Sequence, residues 1–213
     1  VADIFQEIDE ELRQDRATKL WNRYGNYVIA VAVLLVIAVG GYKFWNARDL
    51  EARQTASAVY QAAVSQAVDG DVAGAILALG ELASDAGGGY AVLARLRQAG
   101  LAASKGDIEG AVLAYRAVAS DDDVADALRD LARVRSVALQ VETAPAAELM
   151  ATLDGLAVAG NPWRSMALEL KGVLAIKGRN TAAAQALFTQ LSDDAGTPSG
   201  MRARAAEILK ALE

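Results

Sequence analysis

The 213 residues carry 27 acidic and 21 basic side chains, giving a net charge of −6 and a pI near 4.8. Phosphate binding needs a basic surface, so this balance excludes nucleic acid as a partner. The absence of histidine and cysteine removes the commonest general base, the Ser-His-Asp and Cys-His arrangements, imidazole ligands and ordinary zinc sites. No disulfide framework exists, and no thiol could misoxidise in an oxidising compartment.

The chain opens on a mixed acidic and basic arm, residues 1–23, with Val1 in place of methionine suggesting a trimmed or processed start. Ile4, Ile8 and Leu12, with Phe5 beside them, form a stripe at helical spacing. Two uses of that stripe stay open: docking on a cytoplasmic partner, or resting on headgroups with Arg13, Arg16, Lys19 and Arg23 near anionic lipid.

Residues 27–42, YVIAVAVLLVIAVGGY, contain no charged side chain. Helix continued over 24–45 gives about 33 Å at about 1.5 Å per residue, enough for a roughly 30 Å hydrocarbon core. Trp21, Tyr24 and Tyr27 stand at one end and Tyr42, Phe44 and Trp45 at the other, where amphipathic rings prefer the interface. Two rivals are a buried core helix and a cleaved signal peptide, for which Ala38-Val39-Gly40 offers small residues. Nothing else in the chain is comparably apolar, and the long, carboxylate-bearing arm is unlike a short basic n-region. The reading is an uncleaved signal anchor. Charge flanking the segment is nearly balanced, with Arg13, Arg16, Lys19 and Arg23 before it and Lys43, Arg48 and Arg53 after. The short arm and long following domain favour a cytoplasmic N-terminus, and in a bacterium a periplasmic domain over 46–213.

Within that domain the sequence repeats. Residues 70–85, GDVAGAILALGELASD, return as GDIEGAVLAYRAVASD at 106–121 and as GRNTAAAQALFTQLSD at 178–193, offsets of 36 and 72. Gly70, Gly106 and Gly178 align, as do Ala75, Ala111 and Ala183, then Leu79, Tyr115 and Leu187. The glycine permits a left-handed turn after a first helix, and the alanine lets a second helix approach closely. A degenerate copy falls near 142–157, where Ala147 and Ala151 hold the small positions. First helices are expected at about 50–68, 90–104, 124–140 and 162–176, the last opened by Asn161 as cap and Pro162 at the first helical position. Met201 to Leu212 is expected to form a final helix closing the stack. The fold class is all-α: one transmembrane helix, then an α-solenoid of degenerate helix pairs with a C-terminal capping helix.

Two clusters have bland readings. Asp121-Asp122-Asp123 lacks the ligand spacing of a calcium loop and reads as a solvated helix-capping turn. Gly87-Gly88-Gly89 has neither a Gly-Lys-Ser/Thr ending nor a preceding strand, so it reads as a connection rather than a phosphate loop. No catalytic, cofactor-binding or metal-binding residue is expected, and the chain does not read as an enzyme.

The Gly-Asp turn, with alanine five residues after the glycine and a leucine or aromatic four further on, resembles the second half of a tetratricopeptide repeat (TPR). The first helices depart from that pattern, so groove residues do not carry over and the partner-binding surface is unknown. The whole chain, from the arm IFQEIDEELRQDRATKLWNRYG to the ending SDDAGTPSGMRARAAEILKAL, is similar to the YfgM-like family of TPR-like ancillary Sec translocon subunits. That resemblance implies an inner-membrane protein with a periplasmic repeat domain. It further implies partners in the SecYEG channel and a membrane-anchored periplasmic chaperone, and hand-over of newly translocated, unfolded polypeptides. A different class of function is a structural or assembly subunit of another inner-membrane complex, such as a respiratory one, in which the repeats bind one fixed partner. Fold alone does not choose between them.

Overall fold

The structure, a computed structural model, describes residues 2–212, with the side chains of 2–17, 19, 20, 22, 28 and 32 outside the description. The arm's stripe of Ile4, Phe5, Ile8 and Leu12 therefore lies outside the described side chains. The described residues form helices joined by turns, with no strand among them. The chain divides into two compact units, Val1–Gln54 and Thr55–Glu213.

The first unit is made of helix α1 (Ala2–Val68), which continues into the second. From Ile29 to Trp45 its described side chains are all exposed. Gly25 is buried because the Trp21 indole lies over it, 3.2 Å from where a Cβ would stand.

The second unit stacks helix pairs. The end of α1, residues 55–68, pairs with α2 (Val72–Asp85); α3 (Gly89–Ser104) pairs with α4 (Ile108–Ala119); α5 (Asp126–Gln140) with α6 (Ala146–Asp154); and α7 (Arg164–Lys177) with α8 (Thr181–Asp193). Helix α9 (Ser199–Ala211) follows.

Three of the four pair turns are built alike. At the first, Gly70 N–H donates to Ala67 O and Asp71 N–H to Gln66 O; at the second, Gly106 donates to Ala103 and Asp107 to Ala102; at the fourth, Arg179 donates to Ile176 and Asn180 to Ala175. This is the Schellman arrangement, which satisfies the orphan carbonyls of the first helix and needs a left-handed residue. Gly70 (φ 100°) and Gly106 (φ 91°) supply it, and in the fourth turn Arg179 (φ 57°) does. The next residue immediately caps the second helix: Asp71, Asp107 and Asn180 accept from the backbone N–H of Gly74, Gly110 and Ala183.

These caps reset the register of the fourth unit. Four residues beyond the cap stand Ala75, Ala111 and Ala184, each at 0% exposure; eight beyond stand Leu79, Tyr115 and Phe188, all buried; eleven beyond stand Leu82, Val118 and Leu191. The aligned set Gly178, Ala183 and Leu187 thus sits one position early. Gly178 opens the turn at φ −74°, while Ala183 and Leu187 are only half-buried. The physical reason is that the turn requires its left-handed residue directly before the cap, and here that residue is an arginine.

Small residues on the first helices receive the large ones. Ala63, Ala99 and Gly172 are buried eight residues before the caps. A Cβ on Gly172 would lie 2.7 Å from the Phe188 ring, so the largest of these side chains meets the smallest residue.

The third pair differs. Its turn is longer, Pro145 caps α6 without a side-chain bond, and Leu149, Leu153 and Leu156 occupy the positions four, eight and eleven beyond it. They pack against Val134, Val137 and Val141 of the preceding segment. Ala147 and Ala151, expected at the small positions, are exposed. Leucine where the other pairs place alanine holds the two axes apart, and α6 makes the thinnest contacts of the consecutive helices from α2 to α9. The start of α7 also differs from expectation: its cap is Trp163, while Asn161 accepts from Trp163 N–H at 2.8 Å within the preceding turn. Helix α9 lays Met201, Ala205, Ile208, Leu209 and Leu212 against the last core cluster, and Arg204 makes a two-pronged bond to Glu169 of α7.

Phe188→Ala is expected to cost about 3–5 kcal/mol, and Leu187→Ala less than half of that. Denaturant midpoints of the full chain in detergent, followed by circular dichroism, check the order; equal losses would contradict the register. By the same assay Gly106→Ala loses about 1–2 kcal/mol, whereas Arg179→Gly gains stability by relieving the left-handed side chain.

Candidate functional site

Two kinds of surface are laid out by this chain: a naked apolar helix and the faces of the helix pairs. The apolar window of α1 within Arg23–Val68 has a mean hydropathy of 2.2 and no burial. Trp21, Tyr24, Tyr27, Tyr42 and Trp45 are all exposed, up to 80% for Trp45. Each aromatic end carries a cation over a ring: the Arg23 guanidinium lies 5.9 Å from the Tyr24 centroid, and that of Arg48 5.1 Å from Phe44. Leucines and valines exposed along such a length mark a surface made to be covered, by a membrane or by a partner. This helix is long and apolar enough to cross a membrane.

In the second unit the repeat-signature residues are framework. Ala75, Leu79, Ala111 and Tyr115 lie in the cores, and Gly70 and Gly106 at turns with open space around them. Sequence reading missed Ala184, Phe188 and Arg179; the signal available was the capping residue, Asp or Asn, counted instead of the glycine. What repeats on the outside is sparser. Leu77 (70% exposed) and Leu113 (60%) both stand six residues after their caps, with Ala151 and Ala186 in the corresponding places of α6 and α8.

The acidic turns are ion-paired rather than helix-capping. Asp121 accepts from Arg95 at 2.9 Å and from Asp123 N–H, and Arg129 pairs with Asp122 and Asp126. Asp194, like Asp121, stands fourteen residues after its cap; it pairs with Arg164 and accepts from Gly196 N–H. Among the described residues no group of three or more His, Cys, Asp or Glu side chains is placed to hold a metal ion.

Residues 18–204 match the family described as a tetratricopeptide repeat-like domain. The chain belongs to that family. No curated protein and no solved structure matches it. The TPR-like assignment agrees with the paired helices, the turn glycines and the small residues at the close approaches. The arrangement of paired helices is that of a TPR-like scaffold.

Three carboxyls are held below the usual 3.8: Asp71 by the Gly74 N–H and then Gln66, Asp121 by Arg95 and then Asp123 N–H, and Asp194 by Gly196 N–H and then Arg164. Depressed folded-state values stabilise the fold above the unfolded value, and that contribution is lost as pH falls through the folded ones. Thermal midpoints of the full chain in detergent should therefore fall on acidification below about pH 4, and Asp194→Asn should flatten the fall. A midpoint independent of acid over that window would contradict these pairings.

Proposed function

We propose that this protein is a membrane-anchored interaction module beside the bacterial export channel. Its α1 segment over residues 24–45 spans the inner membrane once, with residues 1–23 in the cytoplasm and 46–213 in the periplasm. The observation that carries the reading is the joining of an unburied apolar helix to a TPR-like stack in one chain. Stacked pairs offer long surfaces for protein contact without a chemical step, and anchoring raises their effective concentration near a chain emerging at the bilayer.

The finer assignment, an ancillary subunit of SecYEG working with a membrane-anchored periplasmic chaperone on unfolded clients, draws its support from the arm and the C-terminal segment. In the latter, Pro198 caps α9, Met201 and Ala205 face the last core, and Arg204 ties α9 to Glu169. The resemblance is therefore carried by residues that close the stack, a feature narrower than an alanine-rich repeat.

Crosslinking in intact cells, gentle solubilisation, capture through the C-terminus and mass spectrometry test this directly. Sec channel subunits together with a periplasmic folding factor are the expected recovery. A single stoichiometric complex without Sec components would replace the proposal with a fixed assembly subunit.

A further inference from the structure

The irregular third pair leaves a groove of about 180 Å³ between α4, α5 and α6. We propose that this groove receives the carboxylate of an acidic side chain presented by a partner protein. The inference rests on the interaction-module reading and names the chemistry of one contact within it.

Size comes first. At about 30 Å³ per water the groove holds about six waters, below the roughly 300–1,000 Å³ of small-molecule sites. It fits one side chain rather than a cofactor. Its origin is the packing already described: Leu149 stands where the other second helices have a fully buried alanine, and it lines the groove. The space is thus built by the same substitution that holds α6 off α5.

Charge decides the occupant. Arg116 of α4 and Arg133 of α5 line one side, with Ser136 and Gln140; Glu148 and Thr152 of α6 line the other. Three arginines that bridge separate elements elsewhere meet a carboxylate, Arg95 with Asp121, Arg164 with Asp194 and Arg204 with Glu169. Arg116 instead donates to the neutral Gln140 Oε1 at 2.7 Å, and no carboxylate pairs with it among the described residues. Gln140 is in turn fixed, its Nε2 donating to Ser136 O at 2.8 Å and Ser136 Oγ at 3.0 Å. A guanidinium has five donors in a rigid fork that suits a carboxylate, so Arg116 is oriented yet lacks a charged partner. Arg133 is committed, to Asp130 and to Ala119 O at 3.1 Å, and adds positive charge rather than open donors. Glu148 on the α6 side opposes an incoming carboxylate, so an occupant must reach the Arg116 wall.

The test uses the isotope-labelled full chain in detergent micelles, with the Arg116 and Arg133 side-chain N–H resonances assigned by Arg→Lys variants. The probes are N-acetyl-glutamate N-methylamide, its glutamine analogue and inorganic phosphate. A saturable shift at Arg116 with the glutamate probe, about tenfold weaker with the glutamine analogue, is expected. Arg116→Gln should abolish it. Because Arg116→Gln could loosen α4 from α5, Glu148→Gln gives a second arm on the opposite wall and should tighten the glutamate probe several-fold. No saturable shift, equal binding of the glutamine analogue, tighter binding of phosphate, or Glu148→Gln leaving the affinity unchanged would each overturn the proposal. A blank titration beside intact Sec crosslinks removes the groove alone, so the two readings fail separately.

Discussion

How closely a second helix can approach a first governs the whole stack. The turn that ends one helix hands its last residue to the next as a cap, so Asp71, Asp107 and Asn180 each belong to two motifs. Once that residue is fixed, the helix phase follows, and with it which side chain faces inward at each turn. Alanine four residues on permits contact, and a large side chain eight on fills the recess opposite alanine or glycine. Burial follows from this spacing more than from hydrophobicity, since much of the interior is alanine.

That coupling explains what could be read from the sequence. The pairing of helices, their ends at 68, 104 and 140, and the closing helix were legible because glycine, aspartate and the apolar period mark them. The fourth unit misled by one residue because Gly178 is the obvious turn former. The turn uses Arg179 for its left-handed position and leaves Gly178 in ordinary space. A cap is an Asp, Asn, Ser or Thr followed by helix, a commoner pattern than glycine and harder to spot, yet here it carries the register. Asn161 shows the reverse: a good cap before proline whose side chain instead serves the turn and donates to Asp130.

The third unit was the least legible and is the most individual. Its valines and leucines bury well, but they cannot nest as a ring nests against glycine, and the helix they carry is short. A stack tolerates one such unit because α7 is tied to its first helix past the short α6: Trp163 Nε1 donates to Ala127 O, and Lys177 reaches Val141 O and Glu142 at the end of α5.

A scaffold without reactive groups must obtain specificity from shape and charge placement alone. In this chain the repeated positions cannot supply it, because they are committed to the core in every regular unit. Specificity therefore has to reside where the repeat is broken or where outer positions recur, such as the unlike third pair and the exposed Leu77 and Leu113. Residues 54–94 carry Asp69, Asp71, Glu81 and Asp85 with no cation, whereas the bridging arginines begin at Arg95. Charge is thus unevenly distributed along an otherwise periodic stack. A partner guided by electrostatic complementarity would distinguish the first pair from the later ones although their backbones follow the same rule.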